Sequence, residues 1–180
     1  MTLWNYDDET NAFSLLELLV VIAIIAVLAA ISIPMTKRAI ESGRAAGCVS
    51  NLRQIGVALN LYLAEHNATM PVLDAGRRER SEDRPVIDNT LDKYAGDSRV
   101  FACPSDSQGI ASASGTSYYW NVALNGQALA SLHFLFTEEA SRIPVISDKQ
   151  GFHPYTEDKV NLLYADGHAT KDIRFFTNGQ

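Results

Sequence analysis

Apolar positions divide this chain into two regimes. From Phe13 to Ile33 every residue is apolar except Ser14, Glu17 and Ser32. At ~1.5 Å rise per residue, a helix over this run measures about 31 Å, the thickness of a bilayer's hydrocarbon core. Past Pro34 the pattern turns periodic. Ala45, Cys48, Leu52, Ile55, Leu59 and Tyr62 recur in steps of three and four, a stripe that predicts one buried helix face. No loop signal separates the two regimes, so one helix is expected, with a kink at Pro34 and weak points at Gly43, Gly47 and Gly56. Asn67 tolerates a left-handed cap and Pro71 cannot continue a helix, which places the end near His66–Asn67. Fully helical, Phe13 to His66 would be about 80 Å long.

Strand signals follow in short pieces: Arg99–Phe101, Ser117–Val122, Ile143–Ser147, Val160–Ala165 and Ala169–Arg174. Loops rich in Gly and Ser separate them, notably Ser105–Gly115. Asp166–Gly167 predicts a two-residue hairpin turn with positive φ at both positions. Asp74–Asn89 carries charges of both signs and reads as a solvated loop, with a docking surface for another chain as the alternative. Tyr118, Tyr119 and Trp120 lie on an alternating segment, which favours core positions over a stacking platform. One long helix followed by a small antiparallel sheet makes the fold class α+β.

The formal net charge of −6 gives no electrostatic pull toward nucleic acid. Residues 1–12 hold Asp7, Asp8 and Glu9 and no Lys or Arg, and removing them leaves −3. The first basic residues, Lys37, Arg38 and Arg44, lie beyond the apolar run. By the positive-inside rule alone, the C-terminal part would therefore be cytoplasmic. A secretory signal needs a basic start and a shorter apolar core, and this run fits neither. Two cysteines exclude a disulfide-dense scaffold and a four-cysteine zinc site. No Gly-x-Ser-x-Gly, His-Glu-x-x-His or phosphate-cradling loop is present, so no enzymatic activity is expected.

A short hydrophilic leader, the small Ala12, Phe13, Glu17 as the fifth residue counting from Phe13, and Pro34 further along together resemble the type IV prepilin signature. The leader departs from the usual pattern in ending in Ala rather than Gly and in being acidic rather than basic. The resemblance implies cleavage between Ala12 and Phe13 by a prepilin peptidase, N-methylation of Phe13, and assembly through the helix. Glu17 would then pair with the Phe13 amine of the next subunit, because a carboxylate and an amine in lipid each need an opposite partner.

The implied protein is a subunit of a type II secretion pseudopilus or type IV pilus-like fibre. It would have a leader (1–12), a transmembrane and assembly helix (13–34), an amphipathic continuation (35–67) and a pilin-like α+β head (68–180), a lollipop shape. Its partners would be the peptidase, other subunits of the same or different kind, the inner-membrane assembly platform and the membrane itself. The chain would cross the inner membrane once, with the head in the periplasm. The alternative class is a singly anchored periplasmic binding module that uses the same signal.

The segments around Cys48 and Cys103 (Val-Phe-Ala-Cys-Pro-Ser-Asp) resemble those of pilin-like proteins with a C-terminal His…Asp-Gly motif. That resemblance favours a Cys48–Cys103 disulfide over two buried thiols. Relatives usually have nine residues between the His and the Asp, whereas twelve separate His153 from Asp166 here. Asp166-Gly167-His168 is most simply turn chemistry. Because some major pseudopilins bind calcium in a C-terminal loop, Asp148, Asp158 and Asp166, with His153 and His168, are the candidate metal ligands. Their spacing matches no EF-hand loop. No other cofactor is implied.

Overall fold

The computed structural model describes residues 14–153 and 160–170. The chain forms two compact units, Met1–Ala39 and Ile40–Gln180. Helix α1, Leu15–Glu65, contributes to both.

In the first unit α1 is exposed on every side, and it is the only described helix long and apolar enough to cross a membrane. Its hydroxyls bond back to their own helix: Ser32 Oγ donates to Leu28 O and Thr36 Oγ1 to Ser32 O, both at 2.8 Å. That leaves neither group in need of water. The helix continues through Pro34, which lacks one backbone donor.

In the second unit α1 buries Ala45, Cys48, Leu52, Ile55, Leu59 and Leu63, while Tyr62 is only half-buried. The stripe also extends one turn earlier, to a buried carboxylate, Glu41. Two of the glycines expected to be weak points are close approaches instead. A Cβ at Gly47 would lie 3.2 Å from Pro104 Cγ, and one at Gly56 would lie 3.1 Å from Leu163 Cδ1. The helix ends as expected. Asn67 and Ala68 take positive φ, and Ala68 N–H bonds Leu63 O at 2.9 Å, the wider bond of a Schellman turn.

Three short helices, α2 (Ile87–Thr90), α3 (Asp92–Ala95) and α4 (Ile110–Ser114), lead into an antiparallel sheet of order β1-β2-β3-β4. Its strands are β1 (Tyr118–Trp120), β2 (Pro144–Asp148), β3 (Leu162–Tyr164) and β4 (Ala169–Thr170). Trp120, Ile146, Leu163 and Ala169 fall in register across it and are buried, forming with Leu52, Ile55, Phe101 and Tyr118 the centre of the core. The class is α+β. Tyr118 and Trp120 are core residues, and Tyr119 is exposed.

Three expectations are corrected. Ser98–Phe101 is a 3-10 turn rather than a strand, because Asp97 accepts the Arg99 N–H and starts a helical turn. Asp74–Asn89 is not simply solvated. Arg77 and Asp88 form an ion pair at 2.5 Å with side chains 7% and 11% exposed, and Arg77 Nε also donates to Ser114 O. Burial raises the Asp88 pKa, and the Arg77 charge opposes that rise. Lastly, only Gly167 takes positive φ in the β3–β4 turn. Gly167 N–H bonds Tyr164 O and Tyr164 N–H bonds His168 O, a three-residue loop closed by a glycine bulge. The predicted strand residues beyond Thr170 lie outside the described residues.

The glycine contacts make opposite predictions. Gly56→Val should destabilise the second unit by about 1–3 kcal/mol through overpacking against Leu163. Gly43→Ala, with nothing within 4 Å of its Cβ position, should cost nothing and gain up to about 1 kcal/mol. Urea unfolding of the full chain in detergent micelles measures both.

Candidate functional site

Two sites emerge, one at the start of α1 and one on its buried side.

At the first, Ser14 is the N-cap of α1. Its Oγ accepts from Leu16 N–H at 3.2 Å, and Glu17 Oε2 accepts from Ser14 N–H at 2.9 Å. Ser14 thus satisfies the N–H of the second helical residue while Glu17, three positions on, satisfies the N-cap N–H, an N-terminal cap close to a capping box. The Ser14-x-x-Glu17 spacing was the sequence signal for it. A carboxylate in the first turn also faces the positive end of the helix dipole. Glu17 is thereby held beside the backbone that follows Phe13. Ala12 and Phe13 themselves lie outside the described residues.

The second site is built from Cys103-Pro104-Ser105-Asp106, and each residue has a separate task. Cys103 is disulfide-bonded to Cys48 of α1, with Cα atoms 4.9 Å apart. Pro104 packs where Gly47 leaves room. Ser105 Oγ donates to Glu41 Oε1 at 2.6 Å. Asp106 accepts from the N–H groups of Ile110 and Ala111 at 3.1 and 2.8 Å and from Ser117 Oγ at 2.9 Å. Ser117 Oγ in turn accepts from Cys103 N–H at 3.0 Å, and Asn51 Nδ2 of α1 donates to Ala102 O at 2.9 Å. Burial pushes the Asp106 pKa up, but the bonds from Ala111, Ile110 and Ser117 outweigh it and hold the carboxyl below its ordinary value.

His153 completes the cluster. It is fully buried, with Nδ1 3.5 Å from Glu41 Oε1 and Nε2 3.4 Å from Asp148 Oδ2. Nε2 lies 2.7 Å from Asn161 Nδ2 and 3.9 Å from Cys103 Sγ. Asp148 Oδ2 also accepts from Asn161 N–H and Nδ2 at 2.8 and 2.9 Å. Sequence reasoning singled out His153 and Asp148 but not Glu41, Ser105, Asp106 or Asn161. Glu41 had a signal, a carboxylate four residues before Ala45 and so in phase with the apolar stripe.

Residues 10–33 match the family model of the prokaryotic N-terminal methylation motif. No curated protein and no solved structure matches the chain. The motif covers Ala12, Phe13, Glu17 and the apolar run. It supports a processed, pilin-like subunit that is cut by a prepilin peptidase and assembles with other subunits, and its apolar run lies on the one described helix long and apolar enough to cross a membrane.

The two described candidate metal carboxylates, Asp148 and Asp166, are not gathered. Asp148 sits beside Asn161, ahead of β3. Asp166 lies past the other end of that strand, bonded to His168 N–H at 3.0 Å and Nδ1 at 2.5 Å. Asp158 lies outside the described residues. His153 is placed by Glu41, Asn161 and Asp148 rather than by the Asp166 turn.

Asp106 carries a pH prediction. A depressed folded pKa contributes stability that is present above the unfolded value, ~3.9, and lost as pH falls through the folded value. Asp106→Asn should cost about 1–2 kcal/mol at pH 7, reduced from the sum of its bonds by partial exposure. That deficit should vanish in acid below the ordinary Asp range. Thermal unfolding of both chains from pH 7 to pH 3 measures it.

Proposed function

We propose that this chain is a structural subunit of a type II secretion pseudopilus or type IV pilus-like fibre. It is cut between Ala12 and Phe13, N-methylated at Phe13, and polymerised through α1 with like or related subunits by an inner-membrane assembly platform. The observation that carries the reading is the methylation motif ending on the exposed apolar part of α1, where Glu17 is the one carboxylate between Leu15 and Ile33 and is bonded to the Ser14 N–H. No catalytic role is proposed.

Before assembly, Glu17 caps its own helix. After cleavage, the Phe13 amine of a neighbouring subunit supplies the opposite charge that a carboxylate in lipid requires. The head belongs in the periplasm. The disulfide favours an oxidising compartment, and this weighs against the cytoplasmic placement that Lys37, Arg38 and Arg44 would suggest.

Glu17→Gln keeps the size of the side chain and removes its charge. The variant should be processed and inserted, with the melting temperature of its head unchanged, yet be depleted severely from fibres, since removing one partner of a buried pair costs ~3–5 kcal/mol. Quantitative blotting of sheared fibres against membranes reads this, and normal incorporation would overturn the pairing. A C-terminal alkaline phosphatase fusion should be active. An inactive fusion would return the head to the cytoplasm.

A further inference from the structure

The connection from β1 to β2 breaks the usual chemistry of a tight turn. Phe134 and Thr137 exchange both backbone hydrogen bonds, at 3.0 and 3.1 Å, around the two-residue loop Leu135–Phe136. Such loops are ordinarily filled by Gly, Asn or Asp, which suit positive φ and water. Here Leu135 takes φ 53°, and Leu135 and Phe136 are 76% and 102% exposed. A branched side chain in the left-handed region is strained, and a local rule broken without gain to the fold points to a function. The base of the turn is firmly held. Gln127 Nε2 donates to Ala123 O and His133 O, and its Oε1 accepts from His133 N–H at 3.0 Å. Leu132 is buried, and Phe134 packs half-buried on the core. The turn is thus a preformed apolar finger. Glu138 and Glu139 follow it; Glu139 pairs with Arg142 at 2.8 Å, so the exposed Glu138 is the charge the finger presents.

The segment that reads in the sequence as either a solvated loop or a docking surface builds the matching feature. A cleft of about 520 Å³ is lined by Gly76, Arg77, Arg78, Glu82, Arg84 and Tyr119. Tyr119 is 44% exposed, and its ring lies so close to Gly76 that a Cβ there would be 3.3 Å from two ring carbons. Lys149 Nζ sits 5.5 Å from the ring centroid. Arg77 is neutralised by Asp88, and Arg84 by Glu82 and Asp74. Exposed Arg78 and half-buried Lys149 therefore leave the cleft an excess of positive charge around a fixed aromatic ring.

We propose that the Leu135–Phe136 finger of one head seats in the Tyr119 cleft of a second copy, with Phe136 against the Tyr119 ring and Glu138 against Arg78. The inference rests on the reading of this chain as a fibre subunit and adds which head surfaces meet. The occupant is a second copy because this chain carries both halves, each with an exposed aromatic ring and with opposite excess charge. Aromatic anchors of this kind supply most of the energy of an interface, and the charge pair fixes orientation. Finger and cleft share no residue. A contact between unlike patches passes from subunit to subunit without closing, as a fibre requires.

Site-specific photo-cross-linking tests it. The full chain carrying Phe136→p-benzoylphenylalanine is expressed in cells with active prepilin peptidase and assembly platform, and sheared fibres are irradiated. Cross-links should join two copies, and mass spectrometry should map the acceptor to Gly76–Arg84 or Tyr119. Glu138→Arg and Arg78→Glu should each cut the yield of this cross-link about 3–10-fold, and the double variant should restore it. Fibres without cross-linked dimers, acceptors elsewhere on the copy or on another protein or lipid, unchanged yield in both single variants, or a double variant no better than the singles would overturn the contact and leave the fibre reading standing. A parent chain that forms no fibre removes the fibre reading and this contact with it.

Discussion

Residues 15–33 present Leu, Ile and Val side chains around the whole circumference of α1, most of them about half exposed or more in the single chain. Burying each such side chain is worth ~1.5–3 kcal/mol, so together they outweigh the ~5–15 kcal/mol that stabilises an ordinary domain. Water cannot be the lasting environment of this surface, and lipid or neighbouring helices must cover it. The polar groups on this part of the helix obey the same constraint. Ser32 and Thr36 bond backward to carbonyls, and Glu17 accepts from the N-cap Ser14 N–H. This part of the helix thus suits an apolar medium, with the Ser32 and Thr36 hydroxyls satisfied and a single carboxylate at its start.

The second unit solves a different problem, attaching one face of a long helix to a small sheet. Apolar packing from Ala45 to Leu63 supplies most of the adhesion. Register comes from the Cys103–Asp106 segment, in which four consecutive residues grip four different partners: Cys48, the gap at Gly47, Glu41 and the start of α4. The disulfide adds a constraint between residues separated by 55 positions, worth about 4 kcal/mol on the chain-entropy account. His153 and Asn161 bring the sheet side of the cluster to the same place.

Features with a strong period or a fixed local chemistry were legible in the sequence. The apolar run, the helical stripe and the helix end at Asn67 rest on periodicity and cap chemistry, which act within a few residues. Strands β1 to β3 were placed to within a residue or two. Arg99–Phe101 misled because three strand-forming residues cannot override a side-chain cap at Asp97. The β3–β4 turn was located correctly, but its loop length depends on which residues pair across it. The buried cluster was only half visible. Cys48, Cys103, His153 and Asp148 could be named, but their convergence depends on tertiary contacts that no local pattern encodes. The glycines of α1 show the same limit, since propensity marks Gly56 as weak and Leu163 makes it necessary.

The central claim is that the apolar helix belongs to a subunit whose N-terminus is made by cleavage, and the mass of the mature chain tests it most directly. Intact-mass spectrometry of protein purified from membranes of cells with active prepilin peptidase should show a chain beginning at Phe13, lighter by residues 1–12 and heavier by one methyl group. A chain that keeps residues 1–12, or one cut elsewhere, would contradict the account.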